Sequence, residues 1–204
     1  MNNLKDLNWK IAFTYGSIIY DTVTDKSNEN YIFIGGNDIL EFTIDEDKII
    51  KVFPLQNFLV FIEMHEPIAL ECLSILNNNR QHIRINDKKF ENILNQYYNL
   101  TYNPQKLIKA FITKSNKCFN LAKDYFLNEN IYKGKLFLFH SIRILDFCYQ
   151  ILLNKYIIDY SSMNYIYNDI QNLVLSKNLT ENYLLDIINK YKIIKKDFQK
   201  RIDN

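Results

Sequence analysis

The chain has 204 residues, of which 48% are hydrophobic, 4 are Gly and 3 are Pro, and this composition excludes a disordered or linker-rich protein. Its 25 Lys and Arg against 23 Asp and Glu give a net charge of +2, which does not require a nucleic acid or an acidic membrane as partner. The length fits one small α/β domain with a helical extension.

The three cysteines and the N-terminus bear on the cellular compartment. Cys72, Cys118 and Cys148 are widely spaced in apolar segments, which predicts reduced core thiols rather than a disulfide framework. The first six residues lack the apolar segment of a signal peptide, and no apolar segment has the length of a membrane span. We expect a cytoplasmic or nuclear protein that is not secreted and has no membrane partner.

The N-terminal part of the chain has the pattern of short strands. An apolar run at 11–15 ends at Gly16-Ser17, which is typical of a strand-to-helix turn. The next strands are predicted at 31–34, 39–44 and 49–53, the last two as a hairpin around the acidic residues 45–47. We therefore predict an α+β fold with a small mixed, mostly antiparallel sheet.

From Pro54 onward the apolar residues recur with helical periodicity. The predicted helices cover residues 55–62, 67–76, 88–100, 104–128, 135–153, 160–176 and 180–202. This change of period predicts two domains, an α+β domain over 1–100 and an all-α domain over 101–204. On the last helix we expect the following basic residues to form a solvated outer face, with contact to an RNA or DNA backbone as the alternative: Lys190, Lys192, Lys195, Lys196, Lys200 and Arg201.

Two short motifs resemble a known family. Residues 15–22 read YGSIIYDT and residues 27–34 read SNENYIFI. They are similar to the pattern YGSxxYGT followed by SDxD and an apolar strand in the DNA polymerase β-like nucleotidyltransferase superfamily. Residues 65–73 and 135–146 also resemble segments of predicted nucleotidyltransferases. The resemblance implies a nucleotidyltransferase-like domain, with Asp21 in place of the glycine that is usual there.

The resemblance also implies a nucleotide site. A Gly-Ser turn that opens a helix offers backbone N–H groups and a hydroxyl to phosphate oxygens, so Gly16 and Ser17 are candidate nucleotide-binding residues. In the family, the helix that corresponds to residues 135–146 packs beside the nucleotide cleft. His140 and Arg143 lie on one face of that helix, and Asp146 follows three residues later. We expect Arg143 either to contact a phosphate or to form a structural salt bridge between helices.

The carboxylates that this family uses for catalysis are replaced. In the family, two aspartates at alternate strand positions face the same side and bind two Mg²⁺ ions that assist phosphoryl transfer. Here those positions are Asn28 and Asn30, and the intervening Glu29 is expected on the opposite face. A third carboxylate is expected from strand 49–53, which contains no Asp or Glu. We therefore expect no catalytic residue and no firm cofactor, hence a pseudoenzyme that binds a nucleotide, RNA or a protein partner.

Two alternatives remain open from the sequence. In the first, the protein is an active, Mg²⁺-dependent nucleotidyltransferase that uses displaced acids, for which Glu29, Glu41 and Asp45 are the candidates. The simpler interpretation of Glu41, Asp45, Glu46 and Asp47 is a solvated hairpin tip. In the second, the helical domain is a protein-interaction module without a ligand and works through self-association as a homo-oligomer.

Overall fold

The computed structural model describes residues 9–24, 27–44, 48–173 and 181–203. Five strands form one sheet in the order β3-β4-β2-β1-β5. Their bounds are β1 Trp9–Tyr15, β2 Glu29–Gly35, β3 Leu40–Ile44, β4 Lys48–Phe53 and β5 Ile83–Asn86. β2 pairs with β4 in parallel, whereas β1–β2, β1–β5 and β3–β4 are antiparallel. The fold is α+β with a mixed, mostly antiparallel sheet, as predicted.

Alternating side chains give the sheet two apolar faces. Ile32 and Ile34 of β2 are buried on one face, and Phe53 of β4 lies beside Ile34 on that face. The Phe53 ring contacts Phe61 of the helix after β4 at 5.4 Å. On the other face, the following residues form one cluster: Ala12, Phe33, Ile50 and Val52, with Trp9 and Tyr31 packed against them. A strand buried on both faces reads as a continuous apolar run, which is why residues 31–34 predict a strand so clearly.

The predicted β3–β4 hairpin is confirmed. Its acidic turn, with the candidate ligand Asp45, lies outside the described residues.

The sequence did not predict β5. Residues 80–86 follow the polar run Asn77–Asn79 and were expected to lead directly into helices. They instead form a short 3-10 turn and a four-residue strand that pairs with β1. Ile83 and Ile85 alternate with polar residues, which is the strand signal, but the segment is too short for that signal to outweigh its polar neighbours.

Four helices belong to this part of the chain. They are α1 Ser17–Tyr20, α2 Leu55–Glu63, α3 Pro67–Asn78 and α4 Lys88–Thr101. Pro67 occupies the first turn of α3, where its missing N–H has no helical partner to lose. The Asp87 carboxylate begins α4 by accepting from the backbone N–H of Lys89 at 2.9 Å.

Four helices follow. They are α5 Pro104–Leu127, α6 Ile131–Asn154, α7 Asn164–Gln171 and α8 Glu181–Asp203. α6 begins four residues before the predicted start because the Asn130 side chain caps it, accepting from Lys133 N–H at 3.2 Å. α7 is much shorter than the predicted 160–176. Its predicted start at residue 160 is wrong because the Tyr160 hydroxyl donates to the carbonyl of Glu71 at 2.8 Å, which holds that segment outside a helix.

The chain divides into two compact units. Unit 1 comprises residues 1–104 and 156–161, and unit 2 comprises residues 105–155 and 162–204. The short return to unit 1 is fixed by hydrogen bonds to α3, one of them from Ile157 N–H to the Ser74 hydroxyl at 2.9 Å.

Helix α6 is the core helix of unit 2. Its most apolar 18-residue window has a mean hydropathy of 1.5, so by length and composition the helix could cross a membrane. However, 67% of that window is buried inside the protein. An all-round apolar helix buried in this way is typical of the core of a helical domain. All three cysteines are buried and none forms a disulfide, which fits the predicted core thiols.

An acidic residue at the edge of unit 1 offers a pH-dependent stability test. The Glu91 carboxylate accepts two hydrogen bonds from Arg80, at 2.9 and 3.1 Å, and further bonds from Asn86 and Lys88. Hydrogen bonding to Arg80 is the main reason that the pKa of Glu91 falls from 4.5 to about 2. A carboxylate with a lowered folded-state pKa stabilises the fold above its unfolded pKa, and this contribution is lost as the pH falls from about 4.5 to about 2.

We expect Glu91→Gln to lower the free energy of unfolding by about 1–2 kcal/mol at pH 7, because Arg80 and Lys88 are largely solvent-exposed and screened. The difference between wild type and variant should shrink as the pH falls below about 4.5. Urea titrations from pH 7 to pH 3 measure it. A difference that stays constant over this range would contradict the assignment.

Candidate functional site

The Gly16 turn joins β1 to α1. Gly16 is buried and has φ 82° and ψ −143°. Every residue with a Cβ atom strongly disfavours this conformation. The Gly16 carbonyl accepts from Ile19 N–H at 2.9 Å. Asp21 follows the last residue of α1 and has a left-handed conformation with φ 54°. A left-handed residue after the helix explains why the family pattern has glycine there and why aspartate, which tolerates this conformation, can replace it.

Asn30 packs directly against this turn. It is the second residue of β2 and pairs with Tyr15, the residue before Gly16. A Cβ atom added to Gly16 would lie 2.6 Å from Asn30 Nδ2. The same amide donates to the carbonyl of Asn28 at 3.3 Å. The two asparagines and the glycine turn that the sequence singled out therefore meet at one point of the structure.

Glu29 projects to the opposite face of β2. Its carboxylate accepts from the Tyr31 hydroxyl at 2.9 Å, and residues 29 and 31 share a strand face. Tyr31 packs against the Ala12–Phe33 cluster, whereas Asn30 faces the Gly16 turn. Glu29 is thus directed away from Asn30.

The neighbouring strand supplies no carboxylate to the Asn30 face. In the parallel register Ile49 of β4 pairs with Asn30, and Lys51 pairs with Ile32. Lys51 Nζ lies 3.2 Å from the carboxylate of Glu41 on β3, in an ion pair between largely solvent-exposed side chains. Where the family resemblance calls for an acid, this face presents an isoleucine and a cation.

The displaced acids do not converge in the described part of the chain. Glu41 pairs with Lys51 on the Asn30 face, and Glu29 lies on the other face. Among the described residues there is no group of three or more His, Cys, Asp or Glu side chains placed to hold a metal ion.

His140 and Arg143 lie in unit 2, whereas Gly16 and Ser17 lie in unit 1. Arg143 is buried, with its guanidinium over the rings of Phe139 and Phe147 at 5.4 and 5.3 Å. Burial lowers the pKa of His140 well below its usual value, and the positive charge of Arg143 lowers it further. Asp146 accepts from the Gln150 amide at 2.7 Å and from the Ser162 hydroxyl at 2.6 Å. These contacts give Asp146 hydrogen-bond partners and Arg143 aromatic neighbours within the helical unit.

A buried hydrogen bond links residues 15–22 to residues 65–73, two of the segments that resemble the family. The hydroxyl of Tyr20, the last residue of α1, donates to the carboxyl of Glu71 on α3, and both residues are almost fully buried. Tyr160 stacks on Tyr20 and donates to the backbone carbonyl of Glu71. Burial raises the pKa of Tyr160 well above its usual value. The sequence did not predict this network, although an acidic residue within the apolar run 69–73 indicates a buried partner.

The similarity of this chain to known proteins is distant. No family model matches the chain, and no curated protein matches its sequence. The crystal structure of a nucleotidyltransferase-like protein from Exiguobacterium sibiricum 255-15 is similar over 93% of this chain and 69% of that chain, with a TM-score of 0.38 and 10% identity. Similarity at this level assigns neither a family nor an activity, so the function is inferred below from the Gly16 turn itself.

Proposed function

We propose that the protein is a nucleotidyltransferase-like pseudoenzyme, whose former nucleotide site at Gly16 and Asn30 no longer supports two-metal phosphoryl transfer. The observation that carries this proposal is the Asn30 amide packed against Gly16, with Asn28 beside it and Ile49 next to it on β4. The residues that resemble the family's metal ligands lie together, but they bring no negative charge.

The missing charge decides against ordinary catalysis. One pair of unit charges at ~4 Å is worth about 4 kcal/mol at an effective dielectric constant near 20. A divalent ion that lacks two or three carboxylates loses on the order of 10 kcal/mol of attraction by this estimate. Mg²⁺ also sheds its water reluctantly, so asparagine oxygens are weak substitutes.

The Asn30 side chain also covers one side of the Gly16 turn. Its Nδ2 occupies the space that a Cβ of Gly16 would enter, so the turn is covered on that side. The helix that follows is a single turn and adds little dipole to attract an anion. These features favour a protein whose binding function no longer depends on Mg²⁺, in a reducing compartment that keeps its buried thiols intact.

The direct test is transfer from labelled ATP, CTP, GTP and UTP with Mg²⁺ or Mn²⁺, together with calorimetric titration of each nucleotide. We expect no transfer and no metal-dependent binding by the wild-type protein. Asn28→Asp with Asn30→Asp restores two carboxylates and should produce metal-dependent nucleotide binding that Asn28→Ala with Asn30→Ala lacks.

Metal-dependent transfer by the wild-type protein would overturn the proposal. If Glu29→Ala with Glu41→Ala then abolished that transfer, the active enzyme with displaced acids would be the correct interpretation.

A further inference from the structure

Helices α5 and α8 of unit 2 enclose a groove of about 490 Å³, called here the α5–α8 groove. Its lining residues are Asn116, Phe119, Asn120, Lys123, Leu185, Ile188, Asn189, Lys192, Lys195, Lys196 and Gln199. They recur at intervals of three and four on each helix, so one continuous face of α5 opposes one continuous face of α8.

The polar lining of the groove is basic and amide-rich. Four lysines, three asparagines and one glutamine line it, and none of these described lining residues is acidic. Asp197 on α8 lies outside the lining and is paired with Lys200 at 3.6 Å. The groove therefore combines positive charge with side chains that donate hydrogen bonds.

Lys195 lies at the base of this groove and is 8% exposed. Its Nζ donates to Asn116 Oδ1 across the groove at 2.5 Å and lies 5.7 Å from the centre of the Phe119 ring. Lys123 approaches the same ring at 5.5 Å. Burial lowers the pKa of Lys195, which means that the charged form lacks solvation there. A bound anion would stabilise the ammonium charge of Lys195 in place of the lost water.

Charge is divided unequally between the two units. Unit 2 contains sixteen Lys and Arg against eight Asp and Glu, and unit 1 contains nine against fifteen. The net charge of the whole chain, +2, conceals this separation. A strongly basic unit with a basic groove is the electrostatic pattern of a protein that binds a polyanion.

The spacing of the lysines on α8 also destabilises the free protein. Lys192 and Lys196 are four residues apart on one helical face, and Lys195 lies between them. Like charges at this spacing repel each other and weaken a helix. An anion in the groove would relieve that repulsion. The lysine cluster therefore favours anion binding, although it does not favour folding.

We propose that the α5–α8 groove binds the phosphodiester backbone of single-stranded nucleic acid. The lining of α8 spans fourteen residue steps, about 21 Å at ~1.5 Å per residue, which exceeds one phosphate and suits a series of them. Asparagine and glutamine amides donate to phosphate and sugar oxygens, as lysines do. The lining has eight polar residues and three apolar ones, which suits a phosphodiester strand, whereas a helix that lies on a membrane needs a broad apolar face.

This assignment does not depend on the loss of catalysis, because the groove lies in unit 2 and the Gly16 turn lies in unit 1. If the transfer assays contradicted the pseudoenzyme proposal, the proposal for the α5–α8 groove would be unaffected. A negative result at the groove would likewise leave the pseudoenzyme proposal unaffected.

Fluorescence anisotropy of labelled oligo(U) and oligo(dT), each about 12 nucleotides long, tests the proposal on the full chain. Wild-type affinity should fall as salt rises from ~50 to ~200 mM, with a log–log slope near −2 to −3 for three to four neutralised phosphates. Lys192→Glu with Lys196→Glu should weaken binding at least about tenfold and reduce the slope by about 1.4 or more. Both side chains are exposed, so the fold should survive.

Lys114→Glu with Lys133→Glu is the matched control, since it makes the same charge change on exposed residues of unit 2 outside the groove. It should retain most of the affinity. Lys192→Gln with Lys196→Gln should weaken binding without lowering the melting temperature, which separates lost binding from lost folding. Equal affinity for the two oligomers identifies the phosphates as the recognised group, and preference for oligo(U) adds the 2′-hydroxyl.

Three results would overturn the assignment. They are no binding up to about 100 μM protein at low salt, equal weakening by the groove and control variants, and binding to phosphatidylserine vesicles but not to either oligomer.

Discussion

Replacing Gly16 with alanine is expected to lower the free energy of unfolding by about 2–6 kcal/mol. The backbone at φ 82° costs a non-glycine residue about 1–3 kcal/mol. The added Cβ also meets Asn30 Nδ2 at 2.6 Å, and crowding of this kind adds about 1–3 kcal/mol. Urea denaturation of the variant measures the sum.

Two further variants separate the contributions to this loss. Gly36 also has positive φ, at 73°, but a Cβ there would meet Trp9 at an ordinary 3.5 Å, so Gly36→Ala should lose about 1–2 kcal/mol from backbone strain alone. Removing the amide with Asn30→Ala should recover about 1–2 kcal/mol of the Gly16→Ala loss. If Gly16→Ala is no worse than Gly36→Ala, the close packing of Asn30 on the turn is refuted.

The second large effect is expected from Tyr20→Phe. The change removes the hydroxyl that donates to Glu71 and leaves a deeply buried carboxyl with one donor fewer. A buried polar group that loses its partner costs about 1–3 kcal/mol, and more for a charged group, so we expect a loss of about 2–3 kcal/mol. Thermal or urea unfolding measures it.

Two comparisons test whether this loss comes from the hydrogen bond. Tyr165 is 62% exposed, and Tyr165→Phe should change stability by less than about 0.5 kcal/mol. Glu71→Gln keeps an oxygen that can accept from Tyr20, and we expect it to lose about 1 kcal/mol. A Tyr20→Phe variant as stable as the wild type would show that the hydroxyl contributes nothing to the fold.

These two variants concern the same part of the molecule. The first tests the glycine that begins α1, and the second tests the tyrosine that ends it. Gly16 forms the turn that begins α1, and Tyr20 attaches the end of α1 to α3. Both residues therefore have a role in the fold that does not depend on any chemistry at the turn.

Much of the fold could be predicted because it follows from local patterns. The apolar runs of β1 and β2, the Gly16 turn, the β3–β4 hairpin and the helix start at Pro67 all rest on residues adjacent in sequence. The family resemblance aligned Asn28 and Asn30 with metal-binding aspartates, but it did not predict that Asn30 packs on Gly16. The antiparallel pairing of Tyr15 with Asn30 places Asn30 beside the turn.

Other features depended on contacts between residues far apart in sequence. Strand β5 exists because β1 pairs with it, and α7 starts late because Tyr160 is held by Glu71, eighty-nine residues away. The predicted pairing of Gly16 and Ser17 with His140 and Arg143 in one nucleotide site remains a prediction, since the two pairs lie in different units.

The sequence by itself determined the α+β class, the glycine turn and the absence of acids at the family's metal positions, because strand and helix periods and residue identities are local properties. The tertiary structure decided which side chains meet. It placed the Asn30 amide on Gly16 and brought the lysines of α8 opposite the asparagines of α5. Such meetings depend on strand register and helix packing, which net charge and local pattern do not encode.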